Sequence, residues 1–245
     1  VYWKKETQSL FDYLSTCQHP LSKQSPKTMA DRFRPLFSII TPVLNAAPTI
    51  GEAVTSVLNQ QFPNCEHLIR DGGSTDGTLE VLRQFPHLRI VSETDAGLYD
   101  AMNRGAEEAS GEYLVFLQGD DWLLPGALQA WDQVIQQSGT LDLVSGGAEA
   151  VREDGTLVWR KSGKADGGLD FQTLALGEPM INARLFRRDF FLQMGEFSHE
   201  FSLVADRELL FHMVLSDCKS EVVDHPVYRY RWHEQSRTMT EGNAL

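Results

Sequence analysis

Apolar residues along the chain follow two alternating rhythms. Short apolar segments at Phe37–Ile40, His67–Ile69, Leu88–Val91, Tyr113–Leu117 and Leu141–Ser145 have the length of strands. Between them the apolar positions recur every three or four residues, as on one face of a helix. Ile50–Gln60 shows this best, with Ile50, Ala53, Val54, Val57 and Leu58. Leu79–Phe85, Leu98–Ala109 and Gly126–Gln137 are the other helices of this part. Asp76 or Thr78 is placed to cap the second, with Glu80 near its positive end. Ser110-Gly111 ends the third. Thr41-Pro42 is expected to end the first strand, because proline brings no N–H to a ladder.

Strand and helix thus alternate through residue 145, which predicts an α/β fold with a largely parallel sheet and right-handed crossovers. The remainder is less regular. Val151–Trp159 reads as a strand broken by the turn Asp154-Gly155. Helices are expected at Asp170–Leu176, Arg187–Met194 and Asp206–Ser216, and a late strand at Val222–Trp232. Residues 34–245 are expected to form one domain, in which 34–145 bind the donor and 146–245 form the acceptor side. Residues 1–33 are expected to be an appended or peripheral arm; a short helix at Trp3–Leu14, packed on the domain, fits equally well.

Charge narrows the function. The 245 residues carry a net charge of −12, which opposes nucleic-acid binding, since that needs basic stripes to displace counterions. The three cysteines, Cys17, Cys65 and Cys218, have no metal-ligand spacing and suit a reducing compartment. No apolar run approaches the roughly 18 residues of a membrane span. A cytoplasmic protein is expected. Trp3, Lys4, Lys5, Leu10, Phe11 and Leu14 hint at an amphipathic contact with the inner membrane face.

Ligands of open α/β sheets bind at the carboxyl ends of parallel strands, and acids cluster at those positions here. Asp71 follows the second strand, Asp95 the third, and Asp120 and Asp121 the fourth. Adjacent carboxylates repel unless neutralised, and Mg²⁺ or Mn²⁺ would do so while leaving positions for phosphate oxygens. Alternatively, one of them caps the turn before Trp122 and the other is solvated. Asp71-Gly-Gly-Ser-Thr-Asp-Gly-Thr78 is either a phosphate cradle or an ordinary capped loop. Asp206 is either a helix cap or a base held rigidly at a helix start. His233 and Arg237 are either diphosphate or metal contacts or part of a solvated tail.

Taken in order, these pieces resemble the family 2 glycosyltransferases. They are Phe-Ser-Ile-Ile-Thr-Pro at 37–42 with Asn45 after it, the Asp-Gly-Gly stretch at 71–78, Asp95-Ala-Gly97-Leu-Tyr-Asp-Ala-Met-Asn103-Arg-Gly105, Ser-Gly-Glu-Tyr at 110–113 leading to Gly-Asp-Asp at 119–121, and Ala205-Asp206-Arg-Glu208. The resemblance spans some 200 residues, roughly Phe37 to Arg237. The Gly-Leu-Tyr-Asp-Ala-Met-Asn stretch is most similar to that of non-processive enzymes building bacterial surface polysaccharides. The resemblance implies a GT-A fold and an inverting, metal-dependent transfer from a nucleotide-diphosphate sugar, UDP-linked in particular, to a glycan or lipid-linked acceptor.

It also implies roles. Thr41, Pro42 and Asn45 would border the nucleotide, Asp71 would bond the base, and Asp95, Gly97 and Asn103 would line the base and ribose side. Asp120 would meet the ribose hydroxyls and share the Mn²⁺ or Mg²⁺ with Asp121, and Asp206 would be the catalytic base. Ala205 stands where many relatives carry a second acid, and the Gln-x-x-Arg-Trp motif of processive relatives is absent. The alternatives are a sugar nucleotidyltransferase or a non-catalytic nucleotide- or glycan-binding module on the same fold.

Overall fold

The structure, a computed structural model, describes residues 34–164, 181–200 and 204–232, together with Leu169 and Leu174. The expected arm at 1–33, the helix at 170–176 apart from Leu174, and His233 and Arg237 lie outside the described residues. Strands β1 (Phe37–Val43), β2 (Cys65–Asp71), β3 (Arg89–Ser92) and β4 (Tyr113–Phe116) alternate with helices α1 (Ile50–Leu58), α2 (Thr78–Leu82) and α3 (Leu98–Glu108). There follow β5 (Trp122–Leu123), α4 (Ala127–Ser138), β6 (Leu143–Arg152), β7 (Leu157–Lys161), β8 (Arg184–Arg187), α5 (Arg188–Gln193), α6 (Ala205–Leu215) and β9 (Ser220–Trp232).

These strands form one sheet in the order β3-β2-β1-β4-β8-β6-β9-β5, with β7 on β6. The first four are parallel, as the alternation of elements requires. β8 lies antiparallel to both β4 and β6, and β9 runs parallel to β6. The segment expected at 141–145 therefore belongs to a longer strand that does not touch β4. The intervening β8 is only four residues long, and its last residue, Arg187, was expected to start a helix. The interrupted 151–159 segment is a hairpin: β6 ends at Arg152, Gly155 takes a positive φ of 83°, and β7 returns.

Both sheet faces are covered, which explains the unbroken apolar run at 113–117. Tyr113, Val115 and Leu117 face one core with Phe37, Ile39, Val54 and Trp131. Leu114 and Phe116 face the other with Ile40, Met102, Phe186 and Leu209. In the second core the Phe116 ring lies 5.9, 5.5 and 5.4 Å from those of Phe186, Phe191 and Phe197. Among the described residues no helix is long and apolar enough to cross a membrane.

Pro42 does not end β1; it pairs in register with Arg70. Strand alternation explains why. The Ile40 carbonyl accepts from Leu117 on the β4 side, and that of Val43 accepts from Gly72 on the β2 side. Pro42, two residues after Ile40, points its backbone toward β4, whose pairing with β1 has ended at Phe116. The missing N–H forfeits no ladder bond there, and β1 runs on past the last residue that it pairs with β4.

Helix α3 crosses β1 closely through Gly105, where a Cβ would overlap Cγ2 of the fully buried Ile40. Gly105→Ala should destabilise the fold by about 1–3 kcal/mol through overpacking. Urea denaturation measures this, and an unchanged midpoint would mean that α3 sits farther from the sheet.

Candidate active site

The ends of β1 and β4 form the topological switch point, where a ligand crevice is expected. β1 is followed by β2 on one side and, after two crossovers, by β4 on the other, and ligands of open α/β sheets bind at such a point. The acids gather along this end of the sheet. Asp71 is the last residue of β2, in register with Val43 and Ser92. It is 1% exposed, and its Oδ2 accepts from Ser92 Oγ (2.6 Å), Ser74 N (3.1 Å) and Gly73 N (3.2 Å). It thereby folds the turn after β2. Asp95 closes on the same turn: a Cβ on Gly72 would stand 2.8 Å from Asp95 Oδ2. Its Oδ1 accepts from Gly97 N at 2.9 Å, and Gly97 (φ 118°) then leads into α3.

The glycine-rich stretch is a capped loop. Gly73 and Ser74 donate to Asp71, Thr75 N to Asn45 Oδ1 (2.9 Å), and Thr78 N to Asp76 Oδ1 (3.0 Å). Those N–H groups are not presented to a phosphate. In return Asn45 N donates to Ser74 Oγ (2.8 Å), Ala46 N to Thr78 Oγ1 (2.9 Å) and Ala47 N to Asp76 Oδ2 (3.0 Å). The loops after β1 and β2 are thus laced together, with Asn45 held at φ 51°. Neither candidate caps α2: Gly77, at φ 98°, is the N-cap without a side-chain cap bond, Asp76 accepts the Thr78 N–H from one residue earlier, and Thr78 is the first helical residue.

Thr41 turns its side chain inward, where Oγ1 bonds His67 Nε2 at 2.9 Å, and the residue is fully buried. The Asn103 amide is engaged within the fold. Its Nδ2 donates to the Phe197 carbonyl (2.8 Å), and its Oδ1 accepts from Phe197 N (3.0 Å). It is 5% exposed, and its amide pins the segment before α6 to α3.

The adjacent acids divide in a way their motif does not reveal. Asp121, expected to bind the metal, is 3% exposed. Its Oδ2 accepts from Tyr228 Oη (2.7 Å) and its Oδ1 from Arg231 N (2.8 Å). Burial, and then the charge of Asp120, hold its pKa well above the usual carboxylate range against these bonds. Asp120 is half-buried. A hard divalent ion would relieve such a pair, and Asp120, the more exposed of the two, would be the better placed to hold it. No cluster of three or more His, Cys, Asp or Glu among the described residues would hold an ion unaided.

Asp206 lies in the first turn of α6, where its Oδ1 accepts from Arg207 N at 2.7 Å. Burial raises its pKa, opposed by the Arg207 N–H and by the charges of Arg207 and Arg184. Arg184 begins β8, and the antiparallel register of Val115 with Leu185 sets that start beside the carboxyl end of β4. The base candidate therefore belongs to the same end of the sheet as Asp120. Tyr228, Arg231 and Arg184 escaped the sequence reading. The alternation Tyr-Arg-Tyr-Arg at 228–231 marks a strand, but nothing local says that it pairs with Trp122 and Leu123.

A mostly parallel sheet flanked by helices, with carboxylates gathered at its switch point, has the architecture of a GT-A glycosyltransferase. The chain belongs to glycosyl transferase family 2, whose model matches residues 38–202. The match contains Asp71, Asp95, Asp120 and Asp121 and stops short of Asp206. A Mycobacterium bovis "PGL/p-HBAD biosynthesis glycosyltransferase" is 32% identical over 179 residues, 70% of this chain and 67% of that one. The putative teichuronic acid biosynthesis glycosyltransferase TuaG of Bacillus subtilis is 39% identical over 94 residues, 36% and 37% of the two chains. S. aureus TarS 1–349 in complex with UDP-GlcNAc shares the fold at TM-score 0.69 and 19% identity, over 83% of this chain and 60% of that one. The mannosyltransferase PcManGT of Pyrobaculum calidifontis, with GDP-Man and Mn²⁺, shares it at 0.61 and 19%, over 94% and 65%.

The Thr41–His67 pair has a pH consequence. Burial, then the charge of nearby His87, lowers the His67 pKa to about 3. Below pH about 6.5 the unfolded imidazole binds a proton that the folded one refuses, so stability is lost as pH falls toward 3, by up to about 1.4 kcal/mol per pH unit. The stability gap between the wild type and His67→Gln, from urea melts, should shrink across that range. A gap constant from pH 7 to 4 would show that the folded imidazole takes the proton.

Proposed function

We propose that the chain transfers a sugar, with inversion, from a nucleotide-diphosphate sugar, UDP-linked in particular, to a hydroxyl of a glycan or lipid-linked acceptor. The observation that carries this reading is the convergence of Asp71, Asp95, Asp120 and Asp206 on one end of the sheet beside the β1–β4 switch point. TarS bound to UDP-GlcNAc and PcManGT bound to GDP-Man and Mn²⁺ support the donor class and a divalent cation. Relatives named for PGL/p-HBAD and teichuronic acid biosynthesis support a glycan-building role.

The nucleotide enters the crevice. The Thr41 and Pro42 backbone forms one wall, and the turn folded by Asp71 and bordered by Asp95 and Gly97 forms the base and ribose side. Asn45 holds that wall by lacing the two loops, and Asn103 braces the fold behind it. Asp120 faces the ribose and diphosphate and holds Mn²⁺ or Mg²⁺, with Asp121 fixing the turn beneath. The ion, when bound, supplies Lewis-acid stabilisation of the leaving diphosphate. Asp206 takes the proton of the acceptor hydroxyl as its oxygen attacks the anomeric carbon and the nucleoside diphosphate departs from the opposite face. Burial makes Asp206 a stronger base than a solvated aspartate.

A nucleotidyltransferase fits less well. The loop Leu44–Thr49 holds no Lys, Arg or Gly for a triphosphate, and the N–H groups of Asn45, Ala46 and Ala47 already have acceptors.

Asp206→Asn should lower kcat by about 10²–10⁴ and leave nucleotide binding intact, as read by donor turnover and calorimetry. Asp120→Ala should instead abolish the Mn²⁺-dependent part of nucleotide binding. Full kcat in Asp206→Asn would remove it as the base.

A further inference from the structure

Arg231 touches the Asp120–Asp121 turn from three sides. Its backbone N–H donates to Asp121 Oδ1 (2.8 Å), and its Nε donates to the Asp120 carbonyl (3.0 Å). Its guanidinium stacks 4.2 Å from the ring centre of Trp122, the residue that follows Asp121. From there Nη2 reaches outward to Glu52 Oε2 of α1 at 2.7 Å. Trp122 Nε1 donates to the same Glu52 oxygen at 3.2 Å. One arginine thus joins the last strand, the acidic turn and the first helix.

The turn needs such a tie. β5 is two residues long, and its ladder consists of Trp122 opposite Arg229 and Leu123 opposite Tyr228. Thr49 Oγ1 holds the Gly119 carbonyl (3.0 Å), which fixes the turn's start to α1. The residues after the turn are tied to α1 directly, through Trp122 Nε1 to Glu52 and Leu123 N to Ser56 Oγ (3.1 Å), and Arg231 ties the Asp120 carbonyl to Glu52 of the same helix. The Glu52 side chain is 56% exposed, so this ion pair adds little to global stability. Its effect is on geometry. A planar guanidinium can stack, donate to a carbonyl and donate to a carboxylate at once, which an ammonium cannot.

We infer that Arg231 is a positioning residue: together with Glu52 it sets where the Asp120 carboxylate stands in the crevice and so governs metal-assisted binding of the donor diphosphate. The inference rests on the reading of Asp120 given above. Catalytic carboxylates displaced by about 1 Å lose up to about 10²-fold in effect, so the consequence should far exceed any change in stability.

The test uses the full chain with UDP and GDP, with and without Mn²⁺, in calorimetry and thermal melts, and follows donor KM and kcat. Arg231→Ala should weaken Mn²⁺-dependent nucleotide binding by about tenfold or more, leave metal-free binding unchanged, and raise donor KM. Arg231→Lys should not rescue it. Glu52→Ala should give a smaller loss of the same kind, and the double variant should lose less than the sum of the two single losses, because the pair shares one bond. If Asp120→Ala weakens Mn²⁺-dependent binding while Arg231→Ala and Glu52→Ala bind like the wild type, the positioning role is overturned and the reading of Asp120 stands. If Asp120→Ala also binds like the wild type, that reading falls and takes this inference with it. Should Arg231→Ala fail to fold, Glu52→Ala, at a half-exposed site, decides alone: wild-type metal-dependent binding in it overturns the inference.

Discussion

The active end of this protein depends on a buried carboxylate. Asp121 is withdrawn from water, and a carboxylate so placed is costly unless its oxygens are given donors. Both donors come from β9, more than a hundred residues later: the Tyr228 hydroxyl and the Arg231 backbone. Tyr228 also accepts from Gln118 N at 3.2 Å, so one phenol grips both ends of the Gln118–Asp121 turn. The donor-side rim is therefore assembled only when the last strand is in place. The sheet order agrees: β9 is separated from β4 by β8 and β6 and reaches the turn along the edge, through β5.

That dependence explains which features could be read from the sequence. Periodicity located the parallel strands and their helices because each is a local pattern in a segment covered on one or both faces. The order of the motif pieces identified the acids that share a rim. The two carboxylates of Gly119-Asp120-Asp121 are indistinguishable in sequence, and what separates them is a hydroxyl and an amide from a strand paired out of sequence order. β8 escaped for a related reason. Four residues carry too little periodicity to compete with the longer helical pattern that follows.

Pro42 and Asn103 are instructive in another way. The rule that proline ends a ladder is correct, but it applies to one edge of the strand at a time, and at Pro42 that edge lies past the end of its pairing with β4. The residue that looked like a stop signal marks the place where β1 outruns β4. Asn103 was grouped with the nucleotide-facing residues because it shares a motif with Asp95 and Gly97. A helix separates neighbours by about 100° each, and eight residues of mostly helical backbone carry Asn103 to the buried face. There its amide meets both backbone groups of Phe197, whose ring packs 4.9 Å from Tyr99.

The antiparallel strand in an otherwise parallel region now has a reason. A parallel strand beside β4 would begin at the far end of the sheet and deliver its first residue away from the acids. β8 runs the other way and so begins at the acidic rim, and the residue it places there is Arg184. Arg184 is 1% exposed and bonds the Ser145 hydroxyl of β6. Its fixed charge acts on Asp206, which burial alone would drive toward the neutral acid. In its proposed role, Asp206 must be ionised to accept a proton yet desolvated enough to be a strong base. Burial supplies the second condition; the Arg207 N–H, then the charge of Arg207, and last that of Arg184 at the head of the reversed strand work toward the first.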